Sequence, residues 1–119
     1  MNNRETYLYH LGYMLGVQEG LTSILNAMLD MAIETEYGLT IYLNKSLKMD
    51  IAKELSVSLA RIDNAITIFV KSEYMTRSSR GKYIFNKTLF GDKKWRNISN
   101  VLAAFNYGTS EIKVVFEGE

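Results

Sequence analysis

Four side chains in one segment are of the types that read DNA. Arg61, Asn64 and Thr67 fall on the outward stripe of a helix that also carries Ala60, Asp63 and Lys71, and Ser58 stands at its N-terminus. A guanidinium can pair bidentately with guanine and a carboxamide with adenine, while hydroxyls adapt to either. Arg77, Ser78, Ser79, Arg80 and Lys82 follow in a second cluster that suits phosphates or a minor groove. Lys93, Lys94 and Arg96 form a third, read as auxiliary phosphate contacts. Residues 58–96 hold nine basic and three acidic side chains. Residues 1–57 hold four and seven, and residues 97–119 one and three. The whole-chain charge of +1 therefore conceals a basic middle that coincides with the candidate readers, the footprint expected of a nucleic-acid surface.

Other chemistries find little material. The absence of cysteine excludes a disulfide scaffold, a thiolate zinc site and a Cys nucleophile. His10 is the one histidine and has no ligand partner in the sequence, so packing or exposure is its default and no metal is expected. Glu34 and Glu36 are two apart and would not face each other on a helix. Ser78 and Ser79 have no nearby base to activate them. The eight glycines form no phosphate loop and no dinucleotide fingerprint, so neither catalysis nor a cofactor is expected. No apolar run approaches the ~20 residues of a membrane span, and Met1–Thr6 lacks a signal-peptide pattern. The expectation is a cytoplasmic protein without a membrane partner.

The elements that must position these residues can be read from periodicity. At 119 residues, with 47% hydrophobic, the chain suits one domain, 1–119, with its core at about 21–90. Tyr7, Leu11, Met14 and Leu15 predict a helix over 4–16. Leu21, Ile24, Leu25, Met28, Met31 and Ala32 predict a second, ending near Tyr37-Gly38 with Gly38 as C-cap. Residues 39–43 read as a short strand. Residues 47–55 read as a helix, Ser56-Val57 as a tight connection, and 59 to about 72 as a helix capped by Ser58. Period two then gives strands at 74–77 and 82–85, with Gly81 available for the turn. A helix is expected over Lys93–Phe105, and a strand over 111–116 that pairs across Asn106-Tyr107-Gly108 with residues before it.

The order helix, strand, helix, helix, hairpin is that of an α+β winged helix-turn-helix domain, here with an added N-terminal helix and a C-terminal extension. Ile51, Ala52, Leu55, Val57, Ile62 and Ala65 are the inward set such a motif needs. Ala52 is small where two helices approach, and Ser56 stands where such turns often carry Gly. A helix about 10 to 12 Å across fits the major groove, and residues near its N-terminus reach base edges.

The stretch after the hairpin carries a resemblance. Gly81-Lys-Tyr-Ile-Phe-Asn86, Leu89-Phe90-Gly91, Trp95-Arg-Asn-Ile98 and Asn106-Tyr107-Gly108 resemble the RepL-type plasmid replication proteins, as do Ile51–Lys71 and Lys71–Arg77. The resemblance covers about residues 21 to 110, and the wing-to-Leu-Phe-Gly part is its distinctive portion. The family usually has Pro after the wing Asn, where this chain has Lys87. The resemblance implies a winged-helix protein without catalytic activity that binds DNA at a plasmid or phage origin and helps start replication.

Sequence-specific double-stranded DNA binding is thus the expectation. The alternatives are a transcriptional repressor or partition-site binder on the same fold, and a protein-interaction winged helix that never touches DNA. A homodimer is expected, since single modules of this size bury little DNA surface, with a replication or partition protein as a further partner. Trp95 is expected to anchor a connector rather than stack on a nucleotide. Tyr7, Tyr9, Tyr13, Tyr37 and Tyr42 serve either self-association or packing of the first helix. Met14, Met28 and Met31 read as core filler. Asp63 either accepts from a cytosine amino group or orients Arg61.

Overall fold

A computed structural model describes residues 3–106, 108–109 and 111–118. The turn residue Tyr107 lies outside the described residues. The first helix, α1 (Asn3–Leu15), ends at Gly16, whose φ of +74° lets the Val17 amide turn back to the Gly12 carbonyl at 2.8 Å. A single 3₁₀ turn, Glu19–Leu21, leads into α2 (Thr22–Met31).

The second helix stops six residues short of the expected end. Ala32 is already extended, and Ile33–Thr35 (β1) and Gly38–Tyr42 (β2) form a hairpin. Thr35 fixes the reversal. Its Oγ1 donates to the Gly38 carbonyl at 3.1 Å, accepts from the Tyr37 amide at 3.2 Å and lies 2.9 Å from Thr40 Oγ1. Gly38, read as a helix cap, instead opens β2 at φ +113°.

The central helices form as their caps dictate. Asn44 Oδ1 accepts from the Leu47 amide at 2.8 Å and starts α3 (Lys45–Leu55) two residues before the apolar pattern begins. Ser58 Oγ accepts from the Arg61 amide at 3.1 Å and starts α4 (Leu59–Lys71). Between them Ser56 takes a left-handed conformation, φ 55°, and the Val57 amide closes onto the Ala52 carbonyl at 2.9 Å. Ile51, Ala52, Ile62, Ala65, Ile66 and Phe69 are buried; Leu55 and Val57 are half-buried.

β3 (Met75–Ser79) and β4 (Lys82–Phe85) form the second hairpin, with an irregularity between Arg77 and Ser79 and Gly81 at φ +76°. The antiparallel sheet has the order β1-β2-β4-β3, so β4 pairs β2 through Thr40↔Ile84, Ile41↔Tyr83 and Tyr42↔Lys82. One turn of helix, α5 (Lys87–Phe90), is capped by Asn86, whose Nδ2 also donates to the Glu73 carbonyl.

The expected helix over 93–105 is absent. Trp95–Asn97 is a 3₁₀ turn, and Ile98–Asn106 (β5) is a strand paired along its length with β6 (Glu111–Gly118). This hairpin packs on α1: Asn3 Oδ1 accepts from the Val101 amide, and Arg4 donates to the Trp95 carbonyl at 2.6 Å. The result is an α+β molecule with a four-stranded antiparallel sheet and a separate two-stranded one. No helix among the described residues is long and apolar enough to cross a membrane.

An aromatic chain ties the extension to the core. Phe69 stacks on Tyr74 at 5.7 Å, and Phe90 meets Tyr74, Phe85 and Trp95 edge-on at 5.6, 5.7 and 6.1 Å. Such pairs contribute about 0.5–1.5 kcal/mol beyond the area they bury. The Leu89-Phe90-Gly91 motif is thus a packing device. Leu89 and Phe90 are buried, and Gly91 turns at φ +76° against the Phe116 ring. Trp95 is fully buried and its Nε1 donates to Asn26 Oδ1 at 3.1 Å, which is the anchoring role expected of it.

Candidate nucleic-acid interface

All four candidate readers are exposed, three on α4 and Ser58 at its N-cap, and each is differently engaged. Ser58 Oγ is committed as an acceptor to the helix cap. Thr67 Oγ1 donates to the Asp63 carbonyl at 3.2 Å, one turn back along the helix. Arg61 Nη2 donates to the Gly20 carbonyl at 3.1 Å, holding the guanidinium against the 3₁₀ turn before α2. Asn64 makes no side-chain hydrogen bond among the described residues and is exposed.

Asp63 does not orient Arg61. It pairs with Lys48 of α3, Nζ to Oδ1 at 2.9 Å, both side chains partly exposed. Such a pair contributes little stability, at most about 1 kcal/mol. Its effect is local: it draws the acid of α4 toward α3 and removes one unpaired negative charge from beside Asn64.

The hairpin residues divide between the two faces of the sheet. Arg77 and Arg80 line a depression of about 600 Å³ between the β3–β4 hairpin and the start of α3. Lys45, Lys48 and Asn44 line its other wall, with Tyr42, Leu43, Gly81 and Tyr83 between. Four cationic side chains from two elements converge there, and no carboxylate of the described residues lines it. The Leu43 amide donates to the Gly81 carbonyl at 2.7 Å and holds the hairpin tip against the chain entering α3. Lys48 belongs both to this depression and to the Asp63 pair, so the basic hollow and the exposed stripe of α4 are neighbours.

Lys82 does not line the hollow. Strand alternation places it on the opposite face, where its Nζ lies 5.1 Å from the Tyr37 ring centre and 5.9 Å from that of Tyr42. Ser78 and Ser79 are exposed at the hairpin tip.

The third basic group lies elsewhere, among acids. The Lys94 amide donates to Glu34 Oε1 on β1, the sheet edge opposite β3, at 2.6 Å. Lys93 lines a separate hollow of about 560 Å³ with Glu34, Asp92 and Glu117. Arg96 lies near enough to Asp30 to oppose the effect of burial, which still holds that carboxyl above its ordinary value. Lys93, Lys94 and Arg96 therefore do not join the other two groups.

Sequence reasoning missed Lys45 and Lys48. They sit in the acidic first half of the chain, where segment charge hid them, and beside a cap residue, Asn44, that precedes the first apolar position of α3. The Asn44–Leu47 spacing was the available signal. Comparison of the chain with protein-family models, with curated proteins and with solved structures finds no match.

Proposed function

We propose that residues 22–85 form a winged helix-turn-helix unit that binds double-stranded DNA in a sequence-specific way. The observation that carries this reading is the basic hollow of Lys45, Lys48, Arg77 and Arg80 lying beside the exposed stripe of α4. The element order and the pairing of β2 with β4 support the fold assignment, since they set a helix pair against a two-stranded wing.

In this reading α4 enters the major groove and a backbone phosphate seats in the hollow. Asn64, whose carboxamide is unengaged, makes the first base contact. Arg61 joins by exchanging the Gly20 carbonyl for a guanine edge. Ser58 and Thr67 contribute at the rim of the contact. Phosphate contacts fix the register and base contacts specify the sequence, so the two sets are separable by mutation. Two copies on half-sites about 34 Å apart would supply the contact area that one module lacks.

The resemblance to plasmid replication proteins favours an origin as the target. A repressor or partition-site binder would use the same surface, and the genomic setting of the site separates them. Sequencing DNA crosslinked to the protein in cells tests the reading. Enrichment of one recurrent motif is expected, in a repeat array for an initiator or at a promoter for a repressor. Uniform background recovery would instead favour a protein-interaction role.

A further inference from the structure

Two exposed tyrosines, Tyr37 and Tyr42, mark a second surface. Leu39, Ile41 and Phe85 point into the core, so Tyr42, Lys82 and Ile84 of β2 and β4 lie on the other face of the sheet, with Thr40 buried beneath their neighbours. Tyr37 and Tyr42 are 55% and 50% exposed on that side. A single ammonium, that of Lys82, lies within 6 Å of both ring centres. A second cation borders Tyr37: the methylenes of Lys87 run along Gly38, with Cε 3.0 Å from where a Gly38 side chain would start.

We propose that this face binds single-stranded nucleic acid, with bases stacked on the Tyr37 and Tyr42 rings and backbone phosphates held by Lys82 and Lys87. The occupant follows from charge and shape together. Exposed aromatic rings accept any base by its flat face, and interleaved cations follow a polyanionic backbone, which is how sequence-tolerant single-strand binding works. Lys82 lies over both rings, and the half of each tyrosine that remains exposed is the surface a base would cover. An acidic peptide would satisfy the lysines but leaves two half-exposed ring faces unexplained. The site borders the proposed duplex surface at Tyr42, which also lines the basic hollow, whereas Tyr37, Lys82 and Lys87 lie outside that lining.

Fluorescence anisotropy with a labelled ten-nucleotide oligothymidylate at low salt tests this, with a random duplex measured in parallel. The wild type is expected to bind the oligonucleotide. Tyr37→Leu is expected to weaken that binding several-fold or more and leave duplex binding unchanged, while Tyr37→Phe retains it. Lys82→Gln is expected to weaken oligonucleotide binding and flatten its salt dependence. Failure of the wild type to bind the oligonucleotide would overturn the proposal and leave the face to a protein partner. Unchanged affinity in the Leu variant, or an equal loss in the Phe variant, would overturn it too. Oligonucleotide binding without any duplex binding would support this site and count against the duplex reading alone.

Discussion

Arg61 of α4 donates to the main-chain carbonyl of Gly20 at 3.1 Å, so the helix assigned to the major groove is fastened to the turn before α2 by its own candidate base reader. The bond is exposed, and an exposed hydrogen bond exchanges readily with water. Arg61 is therefore held ready without being buried. A side chain at position 20 would begin 2.9 Å from Arg61 Nη2, an approach the flexible guanidinium could yield to by leaving the carbonyl.

Arg61→Ala is expected to lower affinity for the specific site by about 1–3 kcal/mol and to relax discrimination at one base pair. Its melting temperature should stay near that of the wild type. Arg80→Ala is expected to weaken all sequences alike and to reduce the salt slope by about one. Binding titrations of both variants against specific and random duplexes check this. Loss of all sequences alike by Arg61→Ala would remove it from the reading set.

Asp63→Asn releases Lys48 and deletes a negative charge from the proposed DNA face. Random-duplex affinity is expected to rise, with a steeper salt dependence, and stability to fall by less than about 1 kcal/mol. Titration at two salt concentrations, with a denaturant melt, measures both effects.

Tyr74 is buried with its hydroxyl unpaired, whereas the neighbouring Tyr7 hydroxyl donates to the Leu89 carbonyl at 2.7 Å. Tyr74→Phe is expected to be neutral or to stabilise by about 1 kcal/mol, and Tyr7→Phe to destabilise by a similar amount. Burial raises both hydroxyls above the ordinary tyrosine value, and Tyr74 adds to the rise at Tyr7. The sign follows: their contribution is complete below about pH 10 and is lost as pH rises beyond it, because the unfolded chain then ionises first. The alkaline loss of stability should be shallower in Tyr74→Phe, as denaturant melts across that range would show.

Burial also raises the Asp30 carboxyl, against the opposing pull of Arg96 and Arg4. A raised carboxyl contributes its stability below the unfolded value and loses it as pH climbs through the folded one. Asp30→Asn should therefore be at least as stable as the wild type at neutral pH. That advantage is expected to shrink as pH falls into the carboxylate range, and melts from acid to neutral pH measure it.

The legible parts of the sequence were the local ones. Ser58 could be placed as a cap because its partner, the Arg61 amide, is three residues away. Gly81 was readable because a tight turn needs positive φ. The β1–β2 hairpin was not, because its determinant is a bond between Thr35 and Thr40, while the apolar stripe of α2 continues to Ala32 without a break. In β5, Ile98, Val101, Leu102 and Phe105 carry helical spacing, yet pairing with β6 and docking on α1 prevail. The candidate site divides in the same way. Residues of α4 share one stripe by periodicity, but the meeting of Arg77 and Arg80 with Lys45 and Lys48 depends on the hairpin folding back beside α3, which no local pattern encodes. Lys82 belonged to the same short basic run as Arg80, and strand alternation sent it to the other face.

The most direct measurement is a titration of the full chain against random duplex DNA at several salt concentrations. Binding by the basic hollow requires affinity to fall steeply as salt rises, with log affinity linear in log salt. The slope should become shallower in an Arg77→Ala/Arg80→Ala variant that melts like the wild type. Absence of duplex binding at low salt, or binding whose salt dependence the double variant leaves untouched, would contradict DNA recognition by this face.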